Sequence, residues 1–280
     1  MSGPAAQRWA GLVRDRLEAL EVLAPGQGAV GAAFWDERAR RYARRVAGTA
    51  ERDPFLRRVR PSVGRRTVVV DVGAGPGRFA LALAPRAGQV VAVDPSERML
   101  SLLRQEARRR GADNVRTVTG RWEEVGDVEG DVVICSYVLP IVADAAGFLA
   151  KLDAAARRRV LVQLSAVSID LLHDPMWRHF HGSRLPPGPT YLDLVAVLRE
   201  LDVEPHVEVV EAPTLVRFAT ERQAVGDYSD LLRLPDTAQA RRELRGLLKS
   251  WLVRDRGALR APVRTLPAAI VSWEPRSAGA

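Results

Sequence analysis

The features of this 280-residue sequence that point most clearly to a ligand are a glycine-rich stretch and two acidic residues. The stretch reads Asp71-Val72-Gly73-Ala74-Gly75-Pro76-Gly77-Arg78, and Asp94 follows 21 residues after Gly73. Glycines in such a turn let the backbone touch a ligand, and an acid about twenty residues later can accept both hydroxyls of a ribose. The spacing therefore predicts an adenosine-containing ligand.

The details of the stretch argue against a dinucleotide. The dinucleotide fingerprint is G-x-G-x-x-G, and its third glycine would fall at Arg78. Pro76 removes one amide donor from the loop. Asp71 would repel a pyrophosphate but suits a cationic group. An NAD-dependent oxidoreductase is therefore the less favoured interpretation.

Strands alternate with helices on both sides of this stretch. Thr67–Val72 is a continuous β-branched run, which is typical of a strand buried on both faces of a parallel sheet. Further strands are predicted at 89–94, 115–120, 131–139 and 159–166, and helices at 78–84, 96–110 and 145–156. Such alternation predicts an α/β fold with a doubly wound sheet.

The remaining segments are predicted to surround this sheet. Residues 1–60 form an N-terminal helical cap segment with helices at 5–23 and 34–47, broken by PGQGAVG at 25–31, and Asp53-Pro54 opens a short third helix. Residues 61–280 form the main domain. Its later elements are lid segments at about 168–190 and 221–255, a helix at 190–201, extended segments at 206–211 and 215–219, and a last strand at 268–273.

Composition favours a globular protein of a reducing compartment. Hydrophobic residues make up 47% and charged residues 27%, and the single Cys135 permits no internal disulfide. No apolar run reaches the roughly 18 residues of a membrane span, and no signal peptide is recognised, so we expect a cytoplasmic protein without membrane contact. The net charge of +8 invites a nucleic-acid partner, and 57–66 is the densest basic stretch.

Three stretches together resemble the class I S-adenosylmethionine-dependent methyltransferases, particularly the UbiE-like group that acts on small molecules. VVVDVGAGPGRFALALA (68–84) is similar to the family's cofactor loop, VVAVDPSERML (90–100) to its ribose-binding strand end, and FWDERARRYA (34–43) to its N-terminal helix. The resemblance covers about residues 30–165. It implies S-adenosyl-L-methionine as cofactor and a Rossmann-like seven-stranded sheet whose last strand is antiparallel.

The resemblance also assigns cofactor-binding residues. Gly73, Gly75 and Gly77 would face the methionine part, and Asp71 would order its amino-acid end. Asp94 would bind the ribose. The other residues it implies are Tyr42, Ala74, Pro95, Met99 near the adenine, Trp122, Glu123 and Ser136.

Two stretches depart from the family's pattern. Where the family often has Gly-Asp and a small residue, this chain has Gly120-Arg121-Trp122-Glu123, so Trp122 is expected to cover the adenine or Glu123 to replace the acid. Where it often has a histidine-containing segment after strand four, this chain has 136–141 (SYVLPI). The second departure leaves the residues around the methyl group unassigned.

Methyl transfer from a sulfonium is an in-line displacement, so the protein mainly supplies alignment and a dry pocket. A base is needed only where the acceptor must lose a proton. His173, His179 and His181 cluster with Asp174 after strand five and are the candidate catalytic residues. His179-Phe180-His181 alternates like a short strand, which leaves three interpretations open: a polar lid, a general base or a metal pair. No metal site is predicted.

The sequence therefore predicts a methyltransferase that acts on a small organic acceptor in an enclosed pocket. Strand four ends in CSYVLP rather than the Asp/Asn-Pro-Pro-aromatic sequence of enzymes that methylate nucleobase amines, and Cys135 is interpreted as a packed core residue. An RNA methyltransferase and a non-catalytic S-adenosylmethionine-binding protein remain as alternatives beside the oxidoreductase. The oligomeric state is not predicted.

Overall fold

The computed structural model describes residues 3–23 and 31–276. The predicted break at 25–31 lies outside these residues except for Gly31. The α-helices of the described residues are α1 (Pro4–Leu23), α2 (Ala32–Val46), α3 (Pro54–Val59), α4 (Ala80–Leu83), α5 (Glu97–Arg110), α6 (Ala145–Ala155), α7 (Asp170–His181), α8 (Tyr191–Glu200), α9 (Glu221–Leu231) and α10 (Ala238–Trp251). The strands are β1 (Val68–Val72), β2 (Gln89–Asp94), β3 (Val115–Thr119), β4 (Gly130–Ser136), β5 (Ala156–Ser165), β6 (His206–Pro213), β7 (Arg217–Phe218), β8 (Val253–Asp255), β9 (Ala258–Arg260) and β10 (Thr265–Trp273).

Seven of these strands form one sheet, in the order β3-β2-β1-β4-β5-β10-β6. The pairs β1–β2, β1–β4, β2–β3 and β4–β5 are parallel, whereas β10 runs antiparallel to both β5 and β6. The predicted Rossmann-like, doubly wound α/β sheet with an antiparallel last strand is confirmed. The order reverses beside β1, which places the glycine turn at the switch point where such sheets bind ligands.

Both faces of the central strands β1, β2 and β4 are buried, which explains their continuous β-branched runs. Val70 and Val72 face one hydrophobic core with α1, α6 and α8, and Val69 faces the other core with α3, α4 and α5. Cys135 is completely buried in the first core, so its interpretation as a packing residue is confirmed.

The helices α3 and α5 have capping residues at their ends, and the cap of α3 is the predicted one. The Asp53 carboxylate accepts a hydrogen bond of 2.9 Å from the Phe55 amide and Pro54 takes the first helical position, as expected for the start of α3. At the start of α5, the Ser96 hydroxyl accepts the Met99 amide at 3.1 Å. The α5 helix ends at Gly111, in the left-handed conformation at φ +65°.

The three N-terminal helices lie at different places around the sheet. The α1 helix packs against α8 and α6 on one face of the sheet, where the completely buried Trp9 donates its indole N–H to the Val142 carbonyl at 2.8 Å. The α3 helix lies in the opposite core. The α2 helix packs on α5 beside the carboxyl ends of the strands. Among these three helices, α2 is therefore the one that covers the ligand side.

The two predicted lid segments come together around a third hydrophobic core. The helices α7, α9 and α10 bury Trp177, Tyr228 and Leu244 against one another. A small antiparallel sheet in the order β7-β9-β8, which the sequence analysis did not predict, completes this unit. We call α7, α9, α10 and this small sheet the lid. Among the described residues, no helix combines the length and apolar character needed to cross a membrane.

The burial of Trp9 predicts that α1 stabilises the whole domain. Replacement of Trp9 by alanine should lower the free energy of unfolding by about 3–5 kcal/mol, because it leaves a cavity and removes the hydrogen bond to Val142. Equilibrium urea denaturation measures this change. Val22→Ala on the same helix is the control, since Val22 is 78% exposed and should cost less than about 0.5 kcal/mol. Equal losses in the two variants would contradict the role of α1.

Candidate active site

A cavity of about 670 Å³ lies at the carboxyl ends of the central strands. Its lining includes Val72, Asp94, Ser136 and Ser165, at the ends of β1, β2, β4 and β5. Nine of the predicted cofactor-binding residues line it: Tyr42, Gly73, Gly75, Asp94, Pro95, Met99, Trp122, Glu123 and Ser136. Asp71, Ala74 and Gly77 do not.

The glycine turn is held in a conformation that side chains disfavour. Gly73 has φ +72°, and a Cβ atom there would lie 2.1 Å from Cγ2 of Val138. Gly77 has φ +88°, and its Cβ would collide with Leu103 of α5 instead of reaching the cavity. Gly73 thus lets the backbone border the cavity, whereas Gly77 permits close packing on α5.

The Asp94 side chain holds the glycine turn in place. Its carboxylate is almost fully buried and accepts the Gly75 amide at 2.8 Å on Oδ2 and the Ser96 amide at 2.9 Å on Oδ1. Burial raises the pKa of Asp94, while the two backbone hydrogen bonds oppose that rise. Each oxygen keeps accepting capacity beyond these bonds, which fits the binding of ribose hydroxyls.

Asp71 has a different environment from the one that the resemblance implies. Its buried carboxylate accepts the Ala80 amide at 3.0 Å, at the start of α4. Burial raises the pKa of Asp71 to about 7, because desolvation outweighs that hydrogen bond. Asp71 therefore supports the turn from behind and does not border the cavity.

Trp122 borders the cavity on the side of β3. The buried indole packs near Phe148, and the Lys151 ammonium lies 5.2 Å from its ring centroid. The indole N–H has no hydrogen-bond partner among the described residues, and an unpaired buried donor is costly. A ligand that accepts this hydrogen bond would remove the cost. This unpaired donor, together with the open glycine turn and Asp94, fits S-adenosyl-L-methionine.

A buried polar network beneath the cavity was not found from the sequence. The Arg78 guanidinium pairs with the Asp53 carboxylate at 2.6 Å. Asp53 also accepts the Gln163 side-chain amide at 3.0 Å, and Gln163 in turn accepts the Ser136 hydroxyl at 2.9 Å. The sequence analysis interpreted Asp53 as a helix cap and Arg78 as a departure from the dinucleotide fingerprint. Because the two residues are 25 positions apart, no local pattern predicted that they form an ion pair.

Tyr137, which follows β4, is a second residue that the sequence analysis missed. It lines the cavity with φ +59°, a left-handed conformation that costs a non-glycine residue about 1 kcal/mol. Tyr137 is 41% exposed overall, but desolvation of its phenol and the Asp53 carboxylate raise the pKa of that phenol, which stays protonated at neutral pH. Strain of this kind is frequent at functional sites.

The lid forms the end of the cavity away from Asp94, and α2 runs along both ends, since a Cβ atom at Gly75 would lie 3.8 Å from Cε1 of Tyr42. The Trp35 and Tyr42 rings of α2 meet edge to face at 5.5 Å. From the lid, His173 Nδ1 lies 3.1 Å from the Tyr228 hydroxyl. Burial lowers the pKa of His173 to about 4, so its imidazole is neutral at pH 7. Of the three predicted catalytic histidines, His173 is the one that lines the cavity.

The other two histidines lie outside the cavity. His179 is 41% exposed and its Nε2 lies 2.6 Å from Glu243, while His181 Nε2 lies 2.8 Å from the Leu232 carbonyl. The predicted short strand at 179–181 is wrong, because these residues end α7, where residues two apart point about 200° apart around the helix axis. Asp174 pairs with Arg178 instead. Among the described residues, no three His, Cys, Asp or Glu side chains are grouped to hold a metal.

Parts of this chain are similar in sequence to a protein family and to several known proteins. The family described as Methyltransferase domain matches residues 69–159, from β1 into β5. An uncharacterized protein of Haemophilus influenzae is 28% identical over 181 residues, which cover 63% of this chain and 66% of that protein. The uncharacterized methyltransferase YcgJ of Bacillus subtilis is 34% identical over 71 residues, 25% of this chain and 28% of YcgJ.

A third relative is ribosomal RNA small subunit methyltransferase G of Neisseria gonorrhoeae, which is 40% identical over 76 residues, 26% of this chain and 36% of that enzyme. The matched part thus spans less than two thirds of each of these curated relatives. The crystal structure of YcgJ superposes with a TM-score of 0.53 at 16% identity and covers 80% of this chain and 98% of that chain. This likeness shows a shared fold.

The geometry of the turn predicts the effect of a methyl group at Gly73. Gly73→Ala should weaken the binding of S-adenosyl-L-homocysteine about tenfold or more, because the new Cβ meets Val138 and displaces the turn. Isothermal titration calorimetry measures the affinity. Gly111→Ala is the control: Gly111 has a similar φ of +65°, but its Cβ would enter open space. Unchanged affinity in Gly73→Ala would contradict this account of the turn.

Proposed function

Because the chain carries a class I S-adenosylmethionine-dependent methyltransferase domain, we propose that this protein transfers a methyl group to a small organic acceptor, as in the UbiE-like group. The observation that supports the proposal is one cavity of about 670 Å³ with two chemically different ends. The glycine turn and Asp94 border one end, the aromatic side chains of the lid border the other, and those of α2 lie between them. A cavity of this size falls in the range of small-molecule sites.

At the first end, the residues of the chain would hold the cofactor, which supplies a methyl group already activated on a sulfonium. The Asp94 carboxylate would accept ribose hydroxyls while it keeps its bonds to Gly75 and Ser96. The Trp122 indole would donate its free N–H. The buried Asp53–Arg78 pair and the adjoining Tyr137 border the cavity where the glycine turn meets β4, so they would orient the polar amino-acid end.

At the second end, the chain would align the acceptor and exclude water. The α2 helix is fastened to the lid by the Arg41–Asp230 ion pair and to α5 by hydrogen bonds from the Ser96 hydroxyl and the Arg98 amide to the Asp36 carboxylate. This closure supports an enclosed site, in which positioning lowers the barrier of an in-line displacement.

His173 is the proposed base for an acceptor that must lose a proton. Its neutral imidazole can carry the ring proton on Nδ1 and donate it to the Tyr228 oxygen, which leaves the Nε2 lone pair free to accept a proton. Its burial keeps that lone pair unprotonated throughout the neutral pH range. Tyr228 would then be a positioning residue that fixes the tautomer.

An RNA acceptor is the second candidate, because one relative of the matched segment is named as a ribosomal RNA methyltransferase. The basic stretch at 57–66 gives the RNA acceptor only weak support, because two of its arginines are paired with acidic residues. Arg58 pairs with Glu208 and Arg60 with Glu51, so part of this charge is already neutralised on the protein. The two candidates differ in where a transferred methyl group should be found.

Transfer of a labelled methyl group distinguishes a small-molecule acceptor from an RNA acceptor. The purified protein, methyl-labelled S-adenosyl-L-methionine and an extract of its own source should give label among small molecules, and Asp94→Ala should abolish it because the ribose contact is lost. The products are separated into small-molecule, protein and RNA fractions and counted. Label in RNA would contradict the small-molecule proposal, and equal labelling by Asp94→Ala would contradict the cofactor assignment.

The environment of His173 predicts the pH dependence of the reaction. The rate should stay level between pH 8 and pH 5 and fall only as the pH approaches about 4, because below that value the imidazole is protonated and accepts no proton. Tyr228, Asp170 and Arg45 are the ionisable groups that act on it. His173→Gln should lower kcat by about 10² or more.

Initial rates with the acceptor isolated from the labelling experiment measure both effects. His179→Gln is the matched control on the same helix and should keep the wild-type rate, because His179 lies outside the cavity. A rate that falls with a midpoint near 6.5, the usual pKa of histidine, or full activity of His173→Gln would exclude His173 as the base.

A further inference from the structure

Arg45 differs from Arg38 and Arg41 of the same helix because it has no carboxylate partner among the described residues. Arg38 lies 2.8 Å from Glu37 and Arg41 pairs with Asp230. Arg45 lines the cavity, its Nε is buried without a hydrogen-bond partner, and no carboxylate of the described residues lies within 4.0 Å of its guanidinium nitrogens. The guanidinium of Arg45 lies over the ring of Tyr42, with its Cζ 5.3 Å from the ring centroid. A half-buried cation is thus left without an anion.

The charge of Arg45 acts on the lid end of the cavity. It lowers the pKa of His173 and opposes the burial that raises the pKa values of Tyr228 and Asp227. Asp227 also lines the cavity, and its Oδ1 is buried without a hydrogen-bond partner. Two oppositely charged groups therefore border the same space without pairing, so each keeps capacity for a ligand.

The surroundings of these charged groups are apolar. Ile169, Val216, Phe218 and Leu231 line the same end of the cavity. Ile169 and Leu231 line the cavity and remain 43% and 46% exposed, so their apolar surface stays available to a ligand at this end. Apolar walls beside a guanidinium and a carboxyl suit a ligand with an apolar body, an anionic group for Arg45 and a hydrogen-bond donor for Asp227.

We propose that Arg45 binds an anionic oxygen group of the methyl acceptor, which makes the acceptor an organic acid with an apolar or aromatic body. A desolvated guanidinium gains strongly from a carboxylate or phosphate, because both offer two oxygens in the geometry of its fork. Tyr42, packed against Arg45, holds the guanidinium at the junction of the two ends of the cavity. This inference rests on the proposed function and specifies its substrate class.

The carboxylate of the cofactor is the competing anion. Arg78 is the cation that adjoins the glycine turn, and it is already paired with Asp53. Arg45 borders the cavity together with His173, Tyr228 and Asp227 of the lid, and its charge acts on the pKa values of these three groups. This placement assigns Arg45 to the acceptor.

Binding of simple anions to the cofactor-loaded protein tests the assignment. Benzoate, phenyl phosphate and the neutral isostere benzamide are titrated by calorimetry into protein saturated with S-adenosyl-L-homocysteine. At least one anion should bind more tightly than benzamide, and Arg45→Gln should weaken that anion at least about tenfold. Arg44→Gln is the matched control, because Arg44 is the exposed neighbour outside the cavity lining and should change the affinity by less than about twofold.

Each other outcome overturns the assignment. Benzamide that binds as well as the anions, anion binding unaffected in Arg45→Gln, or no anion binding below about 10 mM would each contradict it. Titrations of S-adenosyl-L-homocysteine and 5′-methylthioadenosine into Arg45→Gln test whether Arg45 binds the carboxylate of the cofactor. Only the first of these two ligands carries that carboxylate. If only the former loses affinity, Arg45 binds the cofactor's carboxylate and the proposal fails.

The same titrations keep this inference distinct from the proposed function. Failure of S-adenosyl-L-homocysteine to bind the wild-type protein contradicts the proposed function itself. Normal cofactor binding without anion binding contradicts the role of Arg45 alone. Thermal denaturation of Arg45→Gln and Arg44→Gln verifies that both variants are folded.

Discussion

The carboxylate of Asp94 is the contact on which the candidate active site depends. It joins the glycine turn after β1 to the start of α5, through the Gly75 and Ser96 amides. The Ser96 hydroxyl in turn donates to Asp36 of α2. One buried carboxylate thus sets the position of the turn, the helix that follows β2 and the helix that covers the cavity. Its burial is tolerated because each oxygen accepts a backbone hydrogen bond.

A buried ion pair between Asp53 and Arg78 joins the N-terminal part of the chain to the sheet. The Asp53 carboxylate caps α3, pairs with Arg78 after the glycine turn and accepts a hydrogen bond from Gln163 of β5. Removal of one member of such a pair leaves an uncompensated buried charge, which is strongly destabilising. Together with the Ser136–Gln163 bond, the pair fixes the floor of the cavity from three distant segments.

The two ends of the cavity have different structural origins. The cofactor end is built from the strand ends of the sheet, which this chain shares with the YcgJ fold. The acceptor end is built from α2 and the lid, whose helices have a hydrophobic core of their own around Tyr228. The shared sheet therefore builds the end proposed for the methyl donor, while the lid and α2 build the end proposed for the acceptor.

The sequence by itself determined the sheet and the cofactor end, because both depend on local patterns. The β-branched run ending at Val72, the glycines that follow it and the distance to Asp94 are set within about 30 residues, and strand alternation then brings their ends together. Only the tertiary structure decided the rest. The Asp53–Arg78 pair joins residues from different elements, and Arg45 and His173 meet at one cavity from two different helices, and no local periodicity encodes such arrangements. The histidines of α7 show the same limit, since only the helix and its packing separate His173, at the cavity, from His179 and His181 outside it.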